Sequence, residues 1–159
     1  MNNILYRKAG KNDIELLIKL RLDYLNDDRG ELSEQDKSAV AAQLKEYYPK
    51  HLGTDFIAYI AETDGNIIAT AFLAIKEVPA NPAFITGKTG TVLNVFTYPE
   101  YRRKGIATEL LKRLIEEAKA QNLSYIELSA TESGKPLYEK LGFQTKQPSK
   151  YTEMRRQFK

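Results

Sequence analysis

Apolar residues recur at helical spacing early in the chain. Ile14, Leu17, Ile18, Leu22 and Leu25 fall on one face with Arg21 among them, which predicts a helix to about Asn26. Asn12 followed three residues later by Glu15 resembles a capping box at its start, and Asp27-Asp28-Arg29-Gly30 breaks it. Before it, Ile4-Leu5-Tyr6-Arg7 reads as a first strand. Ser33 is the expected N-cap of a second helix carrying Val40, Leu44, Tyr47 and Tyr48, with Pro49 closing it. The period then changes. Residues 56–61 are β-branched and aromatic, Asp64-Gly65 is a hairpin turn pair, and residues 67–75 form the returning strand.

Pro79 and Pro82 mark a loop, and residues 91–97 read as another strand. Ile106, Leu110, Leu111, Leu114, Ile115 and Ala118 then share one face of a helix to about Gln121. Residues 125–128 form a strand, residues 136–141 a short helix left through Gly142-Phe143, and residues 151–158 a last strand despite Arg155-Arg156. Strand, helix and strand over 91–128 make a β-α-β unit, expected parallel and right-handed. With the hairpin before it the sheet must be mixed, so the class is α/β (α+β): one domain over residues 1–159 with a mixed central sheet flanked by helices.

Composition narrows the chemistry. Hydrophobic residues make up 42%, enough for a packed core, and 24 Lys+Arg against 21 Asp+Glu leave a net charge of +3. The absence of cysteine excludes disulfides, thiolate metal sites and a Cys nucleophile; one histidine, His51, excludes a His-cluster metal site. His51 at a helix end reads as a cation favoured by the dipole. Tyr47 and Tyr48 read as core or dimer contacts. No apolar stretch reaches the ~20 residues a membrane span needs. Met1-Asn2-Asn3 leads directly into the first strand with no secretory pattern, so a cytoplasmic protein is expected.

The informative segment runs from the buried strand through Tyr98-Pro99-Glu100-Tyr101-Arg102-Arg103-Lys104-Gly105 into the helix of Ile106, Ala107 and Thr108. A helix start offers unpaired N–H groups and positive potential. Gly105 and Ala107 let an anion approach closely, and three cations stand nearby: together these describe a pyrophosphate site. Neither the P-loop nor the dinucleotide fingerprint is present. A turn glycine with a solvated basic helix entrance is the plainer alternative. Tyr138, in Leu137-Tyr138-Glu139-Lys140-Leu141-Gly142-Phe143, reads either as a half-buried aromatic or as a neutral proton donor with a reference pKa of ~10.

The R-x-x-G-x-A turn of Arg102, Gly105 and Ala107, followed by the L-Y-E-K-L-G-F string, resembles the GNAT superfamily of N-acetyltransferases over residues 91–143. The resemblance implies that acetyl-CoA lies where the strand of residues 95–97 splays from that of residues 125–128. Main-chain groups of Val95, Phe96 and Thr97 would hold the pantetheine arm and acyl carbonyl, a strand N–H stabilising the developing oxyanion. N–H groups from Arg103 and Lys104 through Gly105, Ile106, Ala107 and Thr108, with Arg102 beside them, would hold the pyrophosphate. Tyr138 would protonate the departing CoA thiolate. Thr131 stands where the family often has an Asn on the cofactor, with Ser129 and Ser133 as alternatives.

The family also implies direct attack by a primary amine in a ternary complex, since no Cys is present to carry the acyl group. The acceptor stays open between small amine, amino acid, antibiotic and protein N-terminus. Residues 22–35 and 79–86 would border it, and a homodimer follows from family habit. No metal, nucleic acid or membrane is implied. An amine must lose its proton before attack; Glu62, Glu132 and Tyr24 are conceivable acceptors of it, each equally readable as an ordinary surface or core residue. A non-catalytic acyl-CoA-sensing domain on the same fold is the competing reading. Nucleic-acid binding through residues 102–104 and Arg155-Arg156 is a third, whose affinity would have to depend on salt.

Overall fold

A computed structural model describes residues 3–159; the Met1-Asn2 lead into the first strand lies outside the described residues. The chain divides into two compact units, one running to Ser129 and one from Ala130, each described by itself. The first holds a five-stranded sheet of β1 (Leu5–Lys8), β2 (Phe56–Thr63), β3 (Asn66–Glu77), β4 (Lys88–Thr97) and β5 (Tyr125–Glu127), in that spatial order. β1 to β4 pair antiparallel, and β4 pairs β5 in parallel. The mixed sheet and the β-α-β unit are therefore both present. β2 and β3 meet at a two-residue turn in which Asp64 and Gly65 both take positive φ, 51° and 76°, the twist a tight hairpin needs.

Three helices cover this sheet: α1 (Ile14–Arg29), α2 (Glu34–His51) and α3 (Ile106–Ala120). On one face Leu17, Leu20, Leu44 and Tyr48 pack with Phe56, Ala58, Ile60 and Phe72 of β2 and β3. Tyr48 is a core residue, its phenol pushed up to about 12 by burial. Strand alternation sends Tyr59 to the other face, where its hydroxyl reaches Glu117 of α3 at 3.4 Å. α3 buries Ile106, Leu110, Leu111, Leu114 and Ala118, the face its sequence period predicts. With helices on both sides, β2 is buried almost throughout.

Local chemistry moved several boundaries. The capping residue of the first helix is not Asn12, which lies in a 3-10 turn (Lys11–Asp13). Asp13 stands at the N-cap position without a side-chain cap on α1; its carboxylate accepts instead from the Gly10 N–H at 2.8 Å and from Arg7 at 2.9 Å. α1 continues through Asp27-Asp28-Arg29 and ends only at Gly30, φ 79°. Ser33 caps α2 as expected, accepting from the Asp36 N–H at 3.1 Å. Pro49 does not close α2; it sits in the last turn, which runs on to His51 and ends with Leu52 donating to the Tyr48 carbonyl at 2.9 Å. So near the end the proline removes one bond of the ladder and the turn survives. His51 Nδ1 lies 2.7 Å from Asp55, with Tyr47 stacked on its ring.

The second unit holds α4 (Lys135–Lys140), and residues 151–158 are not a strand. A strand exists only where its N–H and C=O groups find a ladder, and among the described residues none beyond Glu127 pairs with another strand. Tyr151, Met154 and Phe158 are accordingly exposed.

The Arg7–Asp13 pair makes stability depend on acid. Hydrogen bonds from Arg7 hold the Asp13 carboxyl below the usual carboxylate range, and Lys8 does the same for Glu117. A carboxyl depressed in the folded state stabilises fully above its unfolded value, ~3.9 for Asp, and loses that contribution as pH falls through the folded value. The urea midpoint should fall as pH drops from about 5 to about 2. Asp13→Asn should lower neutral-pH stability by about 2 kcal/mol and flatten part of that acid slope.

Candidate functional site

β4 is the strand that organises the first unit's chemistry. Its parallel ladder with β5 pairs Thr89 with Tyr125, Gly90 with Ile126 and Thr91 with Glu127, and stops there. Residues 92–97 continue with no strand beside them on that edge among the described residues. Main-chain donors and acceptors along this stretch are thus available to an extended ligand, as a sheet edge offers itself to an added strand. Gly90 is needed lower down, where a Cβ would sit 2.7 Å from the Leu73 side chain and 3.1 Å from that of Leu123.

The other edge of β4 carries an irregularity. Thr70 of β3 pairs with Phe96 but Phe72 pairs with Leu93, so Asn94 and Val95 oppose Ala71 alone: a β-bulge. Asn94 has φ 53°, a left-handed conformation that Asn tolerates better than most residues, and is 2% exposed. Its carbonyl accepts from the Thr70 hydroxyl at 2.8 Å, its amide donates back to that hydroxyl at 3.1 Å, and its side-chain oxygen accepts from Arg21 at 3.3 Å. The sequence pattern sets Arg21 on the face of α1 and gives no sign that Thr70 and Asn94 meet there. The available signal was a lone Asn inside a Val, Leu and Phe run. Asn94→Ala should lower stability by about 1–3 kcal/mol through loss of the side-chain amide's bonds to Thr70 and Arg21 and through the left-handed backbone. Asn94→Gly should recover the backbone part; denaturant midpoints of both variants check this.

The chain leaves β4 through a 3-10 turn (Pro99–Tyr101). Arg103 (φ 62°) and Gly105 (φ 77°) are both left-handed, and α3 begins with Gly105 as its N-cap and no side-chain cap. The first N–H groups of α3, at Ile106, Ala107 and Thr108, therefore have no intrahelical acceptor. A Cβ on Gly105 would meet no heavy atom within 4 Å, so the helix start opens onto free space. Arg103 and Lys104 are exposed, Lys104 lying over the Tyr101 ring at 5.6 Å. Arg102 behaves differently: its Nε donates to the Thr97 carbonyl at 2.7 Å and its guanidinium faces Asp27 at 3.5 Å, so the side chain straps the turn to β4 and α1. This donor set suits an anion with an extended tail, since unpaired amides and cations meet a free strand edge.

Around β4 the aromatic contacts come from α1. Tyr24 meets the Phe96 ring edge-on at 6.4 Å and Phe96 meets Tyr98 at 5.0 Å. The Tyr98 hydroxyl donates to Asp23 and accepts from Lys19 at 3.1 Å. Burial raises the phenols of Tyr24 and Tyr98 above their ordinary value, which weakens Tyr24 as a proton acceptor near neutrality. Glu62 is tied to Arg7 by bonds of 3.0 and 3.1 Å on β2. Glu132 is exposed, in the second unit.

In that unit, Tyr138 lies on α4, half-buried, its ring edge-on to Phe143 at 5.9 Å. Gly134 opens the helix, and a Cβ there would lie 3.3 Å from the Tyr138 ring and 3.2 Å from the Thr131 hydroxyl. The Thr131 hydroxyl accepts from the Gly134 N–H at 3.1 Å and shares a 3.3 Å bond with Ser133. Thr131 therefore shapes the entry of α4. Among the described residues no group of three His, Asp or Glu side chains is placed to hold a metal ion, and no helix is long and apolar enough to cross a membrane.

Comparison with known proteins bears on these features. The model of the acetyltransferase (GNAT) family matches residues 20–143. The crystal structure of a predicted acetyltransferase with acetyl-CoA from Clostridium acetobutylicum is 33% identical, covers 96% of each chain and superposes with a TM-score of 0.80. A GCN5-related N-acetyltransferase from Ralstonia eutropha JMP134 is 22% identical over 96% of this chain and 98% of its own, TM-score 0.79, a likeness of fold. The glucosamine-6-phosphate N-acetyltransferase of Arabidopsis thaliana shares the fold at 20% identity, TM-score 0.68, over 95% of this chain and 99% of its own.

Proposed function

The chain belongs to the acetyltransferase (GNAT) family, and from that premise we propose that it moves the acetyl group of acetyl-CoA to a primary amine by direct attack in a ternary complex. The observation that carries this reading is the pairing of a free β4 edge beyond Thr91 with an uncapped, unobstructed α3 start at Gly105. Bound acetyl-CoA would supply an acyl group activated as a thioester. The N–H groups of Gly105, Ile106, Ala107 and Thr108 would hold its pyrophosphate, with Arg103 and Lys104 adding positive potential. Main-chain groups of Val95, Phe96 and Thr97 would align the arm and donate to the acyl oxygen as charge develops there, a donor set fixed before reaction begins.

Tyr138 would deliver its hydroxyl proton to sulfur as the C–S bond breaks and the C–N bond forms, and the proton lost by the amine would restore it through solvent. At neutral pH a phenol holds that proton until it is needed. Arg102 and Thr131 would act by shaping the turn and the α4 entry.

The test is release of free thiol from acetyl-CoA in the presence of a panel of primary amines, alongside calorimetric binding of CoA. Amine-dependent thiol is the expected result. Tight binding with no turnover across the panel would instead mark a sensing domain on the same fold.

A further inference from the structure

Arg21 is a half-buried cation on α1. Its Nη1 lies 3.3 Å from the Asn94 side-chain oxygen, and its guanidinium carbon is 5.9 Å from the centre of the Tyr24 ring. Among the described residues no carboxylate pairs with it, although α1 carries Asp23, Asp27 and Asp28. Asp23 is taken by Lys19 and Tyr98, and Asp27 faces Arg102. A guanidinium presents five donors in a planar fork, and a single neutral amide oxygen uses one of them. The fork points to a planar two-oxygen acceptor, which a carboxylate matches in a bidentate pair.

Its position says what that acceptor belongs to. Asn94 immediately precedes residues 95–97, whose main chain holds the acyl group in the reading above, and Tyr24 packs on Phe96 in that segment. An anion on Arg21 therefore stands about one residue from the proposed acyl carbonyl. A carboxylate's single charge matches the single guanidinium there, and a free amino acid carries that group beside an amine able to attack.

We propose that Arg21 holds the carboxylate of the acetyl acceptor, so that the acceptor is a free amino acid whose carboxylate docks at the Asn94 bulge. This inference rests on the acetyl-transfer reading for the location of the acyl group. Arg21 makes and breaks no bond in the step; it fixes where the amine lies.

The experiment compares each of the twenty protein amino acids with its own amide, which keeps amine and side chain and loses the carboxylate. Binding to the CoA-loaded protein is read by calorimetry and turnover by thiol release. At least one acid should bind about 10- to 100-fold more tightly than its amide. In Arg21→Met that acid-to-amide ratio should fall towards one, and in Arg21→Lys, which keeps the charge and loses the fork, it should be intermediate. Finding no acid preferred over its amide by the wild-type protein overturns the proposal, as does a preference that survives in Arg21→Met. Acids that bind through Arg21 yet release no thiol would leave the carboxylate site standing and sink the acetyl-transfer reading.

Discussion

Gly105→Glu should give a folded protein that has lost nearly all affinity for CoA. Two consequences of the substitution separate cleanly. The left-handed φ of 77° at this position costs a side-chain-bearing residue about 1–2 kcal/mol. No neighbour within 4 Å obstructs a Cβ, so the fold survives with a lowered denaturation midpoint. The carboxylate, however, lies at the mouth of the α3 amides, where the pyrophosphate would sit, and both competes for those amides and repels the ligand. A fall in affinity of about 100-fold or more corresponds to roughly 3 kcal/mol, the combined effect of charge repulsion and of the lost amide contacts. Gly105→Ala is the control: it carries the backbone strain without the charge and should keep most of the binding. Calorimetry with CoA reads all three proteins. A folded Gly105→Glu with undiminished affinity would move the pyrophosphate elsewhere.

Tyr138→Phe should reduce kcat by about 100- to 10,000-fold, the span usual for a positioned general acid. The substitution removes one oxygen and keeps the ring against Phe143 and the tight approach of Gly134, so α4 should form as before. Affinity for CoA should change little, because the hydroxyl acts on sulfur only as it departs. The KM-against-kcat split is therefore diagnostic: a structural tyrosine would change stability or KM, an acid changes kcat. Raising the leaving-group acidity should rescue the variant in part, since a thiolate that leaves readily needs less help from a donor. Equal turnover by Tyr138→Phe and the wild-type enzyme would remove Tyr138 from the chemistry.

What the residues disclosed in advance, and what they withheld, follows from how local each determinant is. α3 was legible because its apolar face repeats over four turns and nothing interrupts it; Leu110, Leu111 and Leu114 are wholly buried as that face requires. The Asp64-Gly65 turn was legible because positive φ at two successive residues leaves few alternatives. The glycine turn into α3 is equally plain, and the family resemblance implies a parting of β4 from β5, whose ladder ends at Thr91 and Glu127. The bulge at Asn94 was hidden because its partners, Thr70 and Arg21, lie 24 and 73 residues away. Asn12 is no cap for a similar reason: Arg7 and the Gly10 N–H converge on the Asp13 carboxylate and hold a 3-10 turn there, and a spacing rule cannot see the arginine. Pro49 was read as a stop from a rule for helix interiors, which loosens near a helix end. Residues 151–158 have the composition of a strand but pair with none, and pairing is not written in composition.

The extra residue at Asn94 has one more consequence. Leu93 and Phe96 are an odd and an even position on one strand, yet Leu93 sits against the α1–α2 core cluster and Phe96 against Tyr24 of α1. Inward and outward positions trade places at the insertion, because strict alternation would have sent Phe96 through to the α3 layer. β4 should thus keep Phe96 against α1 even when the extra residue is lost. Removing a single residue between Leu93 and Phe96 would straighten the ribbon, set the two side chains two apart on the α1 side with Phe96 still opposite Thr70, and cost the left-handed residue with its bonds to Thr70 and Arg21.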